Sequence, residues 1–346
     1  GQAIRSRIEA LLPIGFKRWA SAAKRWRADL KTLDVAPPVR RRFWERFTEL
    51  ALNAPDRQPA ANDRKMLLAE ASKERGTRTP MGHVTLVGAG PGNPELLTLR
   101  AVRALRSADV ILFDDLVAPE ILDFARREAK RMLVGKTGYG PSCRQDDINA
   151  LMVGLAKSGK RVVRLKAGDP MIFGRAGEEI AALARARIPV EIVPGITAAQ
   201  GAAASLKVSL THRTSARRVQ YVTGHAHGGQ LPEDLDLAAL SDPKATTAVY
   251  MPLGTLRELA SRLLAAGIEA DRPMTAVFNA TRTDQHIVAA TVATIADRVD
   301  AEEVIGPCLV LIGDVLREPA ISHAPVEADT GEPERQTNRT RLTPSA

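Results

Sequence analysis

Past residue 80 the chain alternates short apolar runs with amphipathic stretches. Val84–Val87, Val110–Phe113, Arg131–Val134, Arg161–Leu165 and Val190–Val193 have the length and the bounding turn residues of strands. The segments between them, over 94–105, 119–128, 146–157 and 177–186, read as helices. Strands alternating with helices predict an α/β lobe over 81–195, built on a mostly parallel sheet covered on both faces. After 195 the texture changes. A small-residue helix over 197–204 leads into strands at Val219–Thr223, Thr247–Met251, Met274–Phe278 and Leu309–Ile312, with helices over 256–266 and 291–299. These predict a second α/β lobe over 196–318.

The first 52 residues are patterned differently. Ile4, Ile8, Leu11 and Leu12, then Phe16, Trp19, Ala23, Trp26 and Leu30, then Val39, Phe43, Trp44, Phe47 and Leu50 make three helical stripes, broken at Pro13 and at Pro37-Pro38. All three Trp residues lie here. Three short helices have little interior of their own. The aromatic surplus therefore predicts docking on a second copy, a homodimer with residues 1–52 as its main contact. Arg40-Arg41-Arg42 reads as the wet face of the third helix. Residues 53–80 are polar around one short helix near 64–71 and read as a linker. Residues 319–346, rich in Pro, Thr, Arg and Glu, read as a disordered tail.

Charge adds one question. The 346 residues carry a formal net charge of +9, a balance that raises nucleic acid as a partner. No zinc-finger, helix-turn-helix or aromatic RNA-binding pattern accompanies it. A polyanionic small substrate fits as well, and so does a solvated basic face. No apolar run approaches the ~20 residues of a membrane span, so neither nucleic acid nor a membrane is expected as a partner. Cys143 and Cys308 form no disulfide framework and suit a reducing cytoplasm. The start has neither an initiator Met nor a signal-peptide core, and its first stripe is already helical. The expectation is a chain that begins inside a longer protein.

The candidate chemistry gathers around 84–115. The first strand runs into Gly88-Ala89-Gly90-Pro91-Gly92-Asn93, and the second ends at Asp114-Asp115. A dinucleotide fold would place glycines near a phosphate and an acid ~20 residues on. Asp114 suits that spacing. Asn93 stands where the third glycine belongs and Pro91 stiffens the loop, so no nicotinamide or flavin dinucleotide is expected. A packing turn that binds nothing is the plainer alternative. Ligands of parallel sheets collect beyond the carboxyl ends of the strands, and Asp114, Lys136, Asp169 and Thr197 all fall just past predicted strand ends. Singly, each has an ordinary reading: Asp114 and Gly168-Asp169-Pro170 as turn chemistry, Arg175 and Arg213 as solvated arginines. His225 and His227 lack a third ligand of suitable spacing, so no metal is expected.

Side by side, the segments VGAGPGNPELLTL (87–99), FDDLV (113–117), VGK (134–136), RLKAGDPMIFGRAGEE (164–179), VPGITAA (193–199), LTHR (210–213), VTGH (222–225) and VYM (249–251) resemble, in family order, the uroporphyrinogen-III C-methyltransferases of the tetrapyrrole methylase superfamily. RRRFWERF (40–47) resembles the dimerisation region of the fused siroheme-synthase enzymes, in which an NAD-binding dehydrogenase and ferrochelatase domain comes first. The resemblance implies two α/β lobes of the tetrapyrrole methylase type, preceded by a small helical segment, with S-adenosylmethionine in the cleft between the lobes. By position it implies cofactor contacts at Pro91, Ala167, Gly168, Asp169, Ile172, Thr197, Ala198, Met251 and Ala280, a proton acceptor at Asp114 and a proton donor at Lys136. Ala167, Ala280 and Pro252 stand where the family usually has glycine, and the loop 137–144 lacks a histidine frequent in relatives. The implied substrate is a polycarboxylate tetrapyrrole, with Arg175 and Arg213 as candidates for its carboxylates. The implied reaction is double C-methylation of uroporphyrinogen III to precorrin-2. The alternatives are a methylase of a later corrin intermediate and an idle, anion-binding dimeric scaffold.

Overall fold

Helical stripes near the start fold on one another. A computed structural model describes residues 13–73, 81–135, 144–225 and 229–317. The stripe at Ile4–Leu12, Lys136, the loop after it, His227 and the tail lie outside the described residues. Helices α1 (Phe16–Thr32), α2 (Pro37–Asn53) and α3 (Ala61–Lys73) share one core of Trp19, Trp26, Leu30, Phe43, Phe47 and Leu67. Phe47 lies edge-on to both indoles, at 5.4 Å from Trp19 and 5.3 Å from Trp26. The predicted aromatic surplus is therefore corrected: a single chain buries Trp19, Trp26, Phe43 and Phe47. The reason is α3. Within the expected linker, it supplies the third wall with Leu67 and Ala71.

In the basic run of α2, Arg40 and Arg42 are exposed as expected, but Arg41 needs correction. Arg41 is not on a wet face but pairs with Asp109 of the following lobe, which also accepts from Arg126 and, at 2.8 Å, from the backbone N–H of Arg161. Burial pushes the Asp109 carboxyl up, but these partners prevail and hold it below the ordinary aspartate value. Asp109→Asn should loosen the helical segment and cost roughly 2 kcal/mol, the scale of hydrogen bonds to a charged group. The sign follows from the depressed value: the stabilisation is present above the unfolded pKa and lost as pH falls through the folded one. Thermal unfolding of wild type and variant should therefore converge at acid pH and separate near neutrality. Equal melting temperatures at neutral pH would refute this.

The first lobe has a five-stranded, all-parallel sheet of β1 (His83–Gly88), β2 (Val110–Phe113), β3 (Lys130–Leu133), β4 (Arg161–Lys166) and β5 (Val190–Val193), in the order β3-β2-β4-β1-β5. One face is covered by α4 (Leu99–Ser107) and the 3₁₀ turn Pro119–Phe124 through Ala101, Leu105 and Ile121. The other is covered by α5 (Gln145–Lys157) and α6 (Ala176–Arg185) through Ile148, Met152 and Leu183. The helix expected from Pro94 is split. Asn93 caps a 3₁₀ turn over Pro94–Leu96, and α4 begins afresh at Leu99, where Thr98 accepts from the N–H of Ala101 at 3.1 Å.

The second lobe follows α7 (Ala198–Leu206). Its sheet runs β6-β7-β10-β8-β9, from β6 (Arg218–Thr223), β7 (Ala245–Tyr250), β8 (Pro273–Phe278), β9 (His286–Thr291) and β10 (Cys308–Ile312). Only β6 and β7 are parallel; the other pairings are antiparallel. The small α7 residues Ala199 and Ala202 lie against Ala248, Val277 and Leu309. On the opposite face, α9 (Leu256–Ala265) and α10 (Ile295–Asp300), which follow the short α8 (Leu237–Ser241), pack on Met274, Phe278 and Val310. Strand β9 is missing from the sequence reading, and the helix expected over 291–299 starts later. β9 is an edge strand with Val288 as its one buried residue, so its alternation is weak. No described helix is long and apolar enough to cross a membrane.

Candidate functional site

Three strand ends meet because three glycines let them. Gly88 ends β1, Gly168 follows β4 and Gly195 follows β5. A Cβ on Gly88 would lie 2.6 Å from the Gly195 nitrogen and 2.7 Å from the Gly168 oxygen. Gly90 and Gly168 exchange backbone bonds of 3.1 and 2.7 Å, tying the two loops together. Asp169 completes the knot, its carboxylate accepting from the N–H of Met171 at 2.8 Å and of Gly195 at 2.9 Å.

The second lobe closes over these loops. Thr281 Oγ1 accepts from the N–H of Asn93 at 3.0 Å, and Arg282 donates to the carbonyl of Leu116 at 2.5 Å. At the start of α7, Thr197 and Gln200 form a capping box. Tyr250, at the end of β7, accepts from the N–H of Ala199 at 3.3 Å, and its ring lies 5.0 Å from Phe173 and 5.7 Å from Tyr221. Phe173, Arg175, Met251, Asn279 and Thr281 all have left-handed φ between 48° and 67°. Such strain in residues other than glycine gathers where surrounding structure over-determines the backbone.

Between the lobes lies a cleft of about 370 Å³, within the usual range for small-molecule sites. It brings together Pro91, Asp114, Ala167, Gly168, Asp169, Ile172, Arg175, Thr197, Ala198, Met251 and Ala280. Lys136 lies outside the described residues; Gly135 before it packs against Asp114, where a Cβ would come within 3.1 Å of the Asp114 Cα. Arg213 is not brought in. It is exposed, in a turn closed by the bridge between His212 and Ala216. Arg175 reaches the cleft but is forked onto Glu178 at 2.7 and 2.6 Å. No group of three or more candidate metal ligands occurs among the described residues.

The cleft wall also carries a charge array that sequence reasoning missed. Arg164 and Lys166, two apart on β4, point to the same face and are buried with Glu179 of α6. Arg164 donates to Asp114 at 2.6 Å and, through Nε, to Glu179 at 3.0 Å; Lys166 donates to the same Glu179 oxygen at 3.0 Å. Burial and the neighbouring Arg164 push the Lys166 ammonium below the ordinary lysine value, against the pull of Glu179 and Asp114. The signal was present: cations at alternate positions of a strand covered on both faces must be buried, and buried cations need an acid.

Two α/β lobes joined over a strand-end cleft, with the partly exposed carboxylates of Asp114 and Asp169 on its wall, define a two-lobed protein with a small-molecule site between the lobes. The chain belongs to the tetrapyrrole (corrin/porphyrin) methylases, whose family profile matches residues 83–296. It is 43% identical over 320 residues to the siroheme synthase of Chromobacterium violaceum, which covers 91% of this chain and 66% of that relative's length. Among solved structures it resembles the uroporphyrin-III C-methyl transferase of Thermus thermophilus complexed with S-adenosyl homocysteine. Identity there is 39% and the TM-score 0.59, covering 68% of this chain and 99% of that one. The cobalt precorrin-4 methyltransferase CbiF is similar at 28% identity and a TM-score of 0.61, covering 68% of this chain and 95% of that one.

Proposed function

We propose that this chain transfers methyl groups from S-adenosylmethionine to two carbons of uroporphyrinogen III, giving precorrin-2. The observation that carries this reading is the inter-lobe cleft, which collects every described cofactor position expected from the sequence. The residues present fit such a cofactor. Ile172, Val277, Met251 and Leu309 with the ring of Tyr250 offer an apolar bed for a purine. The Ala167–Asp169 loop and the start of α7 offer backbone groups for a ribose and an amino-acid end. Ala167 and Ala280 line the cleft, so their extra methyls belong to its wall. When bound, S-adenosylmethionine supplies an electrophilic methyl on a sulfonium.

The chain's own work is alignment and proton handling. Carbon methylation requires a proton to leave the substrate, and Asp114 stands on the cleft wall to take it, oriented by Arg164. Lys136 is assigned proton donation on family position alone. The basic surplus is assigned to the substrate's carboxylates, and the site of action to the cytoplasm. The homodimer remains a proposal on the likeness of residues 40–47 to a dimerisation region, its aromatic support having gone. Sedimentation as a monomer at tens of micromolar would end it.

Calorimetric titration with S-adenosylhomocysteine is the direct test of the cleft. Saturable binding is expected; no heat at millimolar ligand would favour an idle scaffold. A chain that binds it yet methylates only later corrin intermediates would move the substrate assignment.

A further inference from the structure

The Asp114 carboxylate is held by Arg164, and Arg164 is itself held. Its Nε is fixed by Glu179, its remaining terminal nitrogen faces the carbonyls of Leu112 and Leu165 at 3.5 and 3.3 Å, and only one edge is left for Asp114. Glu179 is fully buried and does not line the cleft. One of its oxygens receives Arg164, Lys166 and, at 3.3 Å, Gln145; the other has no hydrogen-bond partner among the described residues. The layer around it is otherwise apolar, with Leu86, Leu112, Val162 and Leu183 on the same face. A buried ion cluster in such a layer is seldom kept for stability, since apolar residues of similar volume serve as well.

We propose that Glu179 is a positioning residue for the methyl-transfer reaction: it locks Arg164 against Asp114 and Lys166 at the cleft wall, and so fixes where the Asp114 carboxylate points. This rests on the functional reading above. It adds that the geometry of the proton acceptor is set two side chains away, from the first turn of α6. Glu179 also balances two buried cations. Its loss leaves Arg164 and Lys166 repelling each other with Asp114 attracting both, which draws Arg164 off its present line.

The test uses the full chain as wild type, Glu179→Gln and the charge-balanced double variant Glu179→Gln/Lys166→Met. Glu179→Gln should lower kcat about 100-fold, the scale of an ångström-sized misplacement. S-adenosylhomocysteine affinity and KM for the methyl donor should stay within a few-fold. The Lys166 side-chain resonance, assigned by its loss in the double variant, should titrate at lower pH in Glu179→Gln, because the carboxylate that favours the charged form is gone. The double variant removes the unbalanced cation, so it should regain thermal stability without regaining kcat. It also carries the test if the single variant does not fold. A single variant with near-normal kcat and an unmoved Lys166 titration would overturn the proposal. So would a double variant that recovers kcat along with stability, since Glu179 would then be a counter-ion only. If the wild type binds S-adenosylhomocysteine but methylates nothing, the functional reading fails. The Lys166 titration then decides separately whether Glu179 holds the array.

Discussion

Asp114→Asn should lower turnover by roughly 10²–10⁴-fold, the range for losing a positioned general base, with S-adenosylhomocysteine affinity within a few-fold of wild type. Asparagine keeps the shape of the side chain and one oxygen to accept from Arg164, which now donates at 2.6 Å. The fold is therefore spared. What is lost is the ability to take a proton, together with the negative charge facing Arg164. Because Asp114 lies at the end of β2 and the Ala167–Asp169 loop at the end of β4, the proton acceptor and the expected cofactor bed are on separate loops. Kinetics that fall in kcat alone, with calorimetric binding preserved, are the expected signature. Near-normal turnover would remove Asp114 from the mechanism. A large loss of affinity would instead make it part of the binding wall.

Much of this architecture is legible in the chain. Five apolar runs separated by helical stripes read directly as a parallel sheet, and the strand-end rule places Asp114, Asp169 and Thr197 at one rim before any coordinates. What resists reading has a physical reason in each case. β9 is an edge strand and pairs on one side only, so its apolar alternation is thin. The helix near 64–71 is legible but its place in the core is not: α3 packs through Leu67 and Ala71, too few positions for the pattern to set it apart from a linker. Arg213 sits in a family-like segment, yet the turn through His212 and Ala216 leaves it in solvent, because a motif fixes neighbours in sequence and not the direction of an exposed side chain. The charge array of Arg164, Lys166 and Glu179 lay inside the quoted motif. Its pairing across β4 and α6 depends on which face of the sheet α6 covers, and strand alternation alone leaves that open.

Gly195→Ala should reduce S-adenosylhomocysteine affinity by about 100-fold or more, the equivalent of ~3 kcal/mol. A Cβ there would overlap the Gly168 carbonyl oxygen and lie 2.9 Å from the Gly88 Cα. Both obstacles are backbone, so no side chain can swing aside. The three strand ends would have to spread, and with them the bond from the Gly195 N–H to Asp169 at 2.9 Å. Asp169 anchors the loop that begins at Ala167, and that loop is one wall of the cleft, so the strain reaches the ligand directly. Gly154→Ala is the matched control. It lies within α5, with nothing among the described residues near enough to meet the new methyl. Alanine there should stabilise the helix by about 0.5–1 kcal/mol and leave affinity unchanged. Calorimetry and thermal unfolding of the two variants side by side separate a local cost of adding a methyl from the close approach of β1, β4 and β5. Equal, wild-type affinity in both would mean that the strand ends can part without disturbing the cleft, and the glycine contacts would lose their part in shaping it.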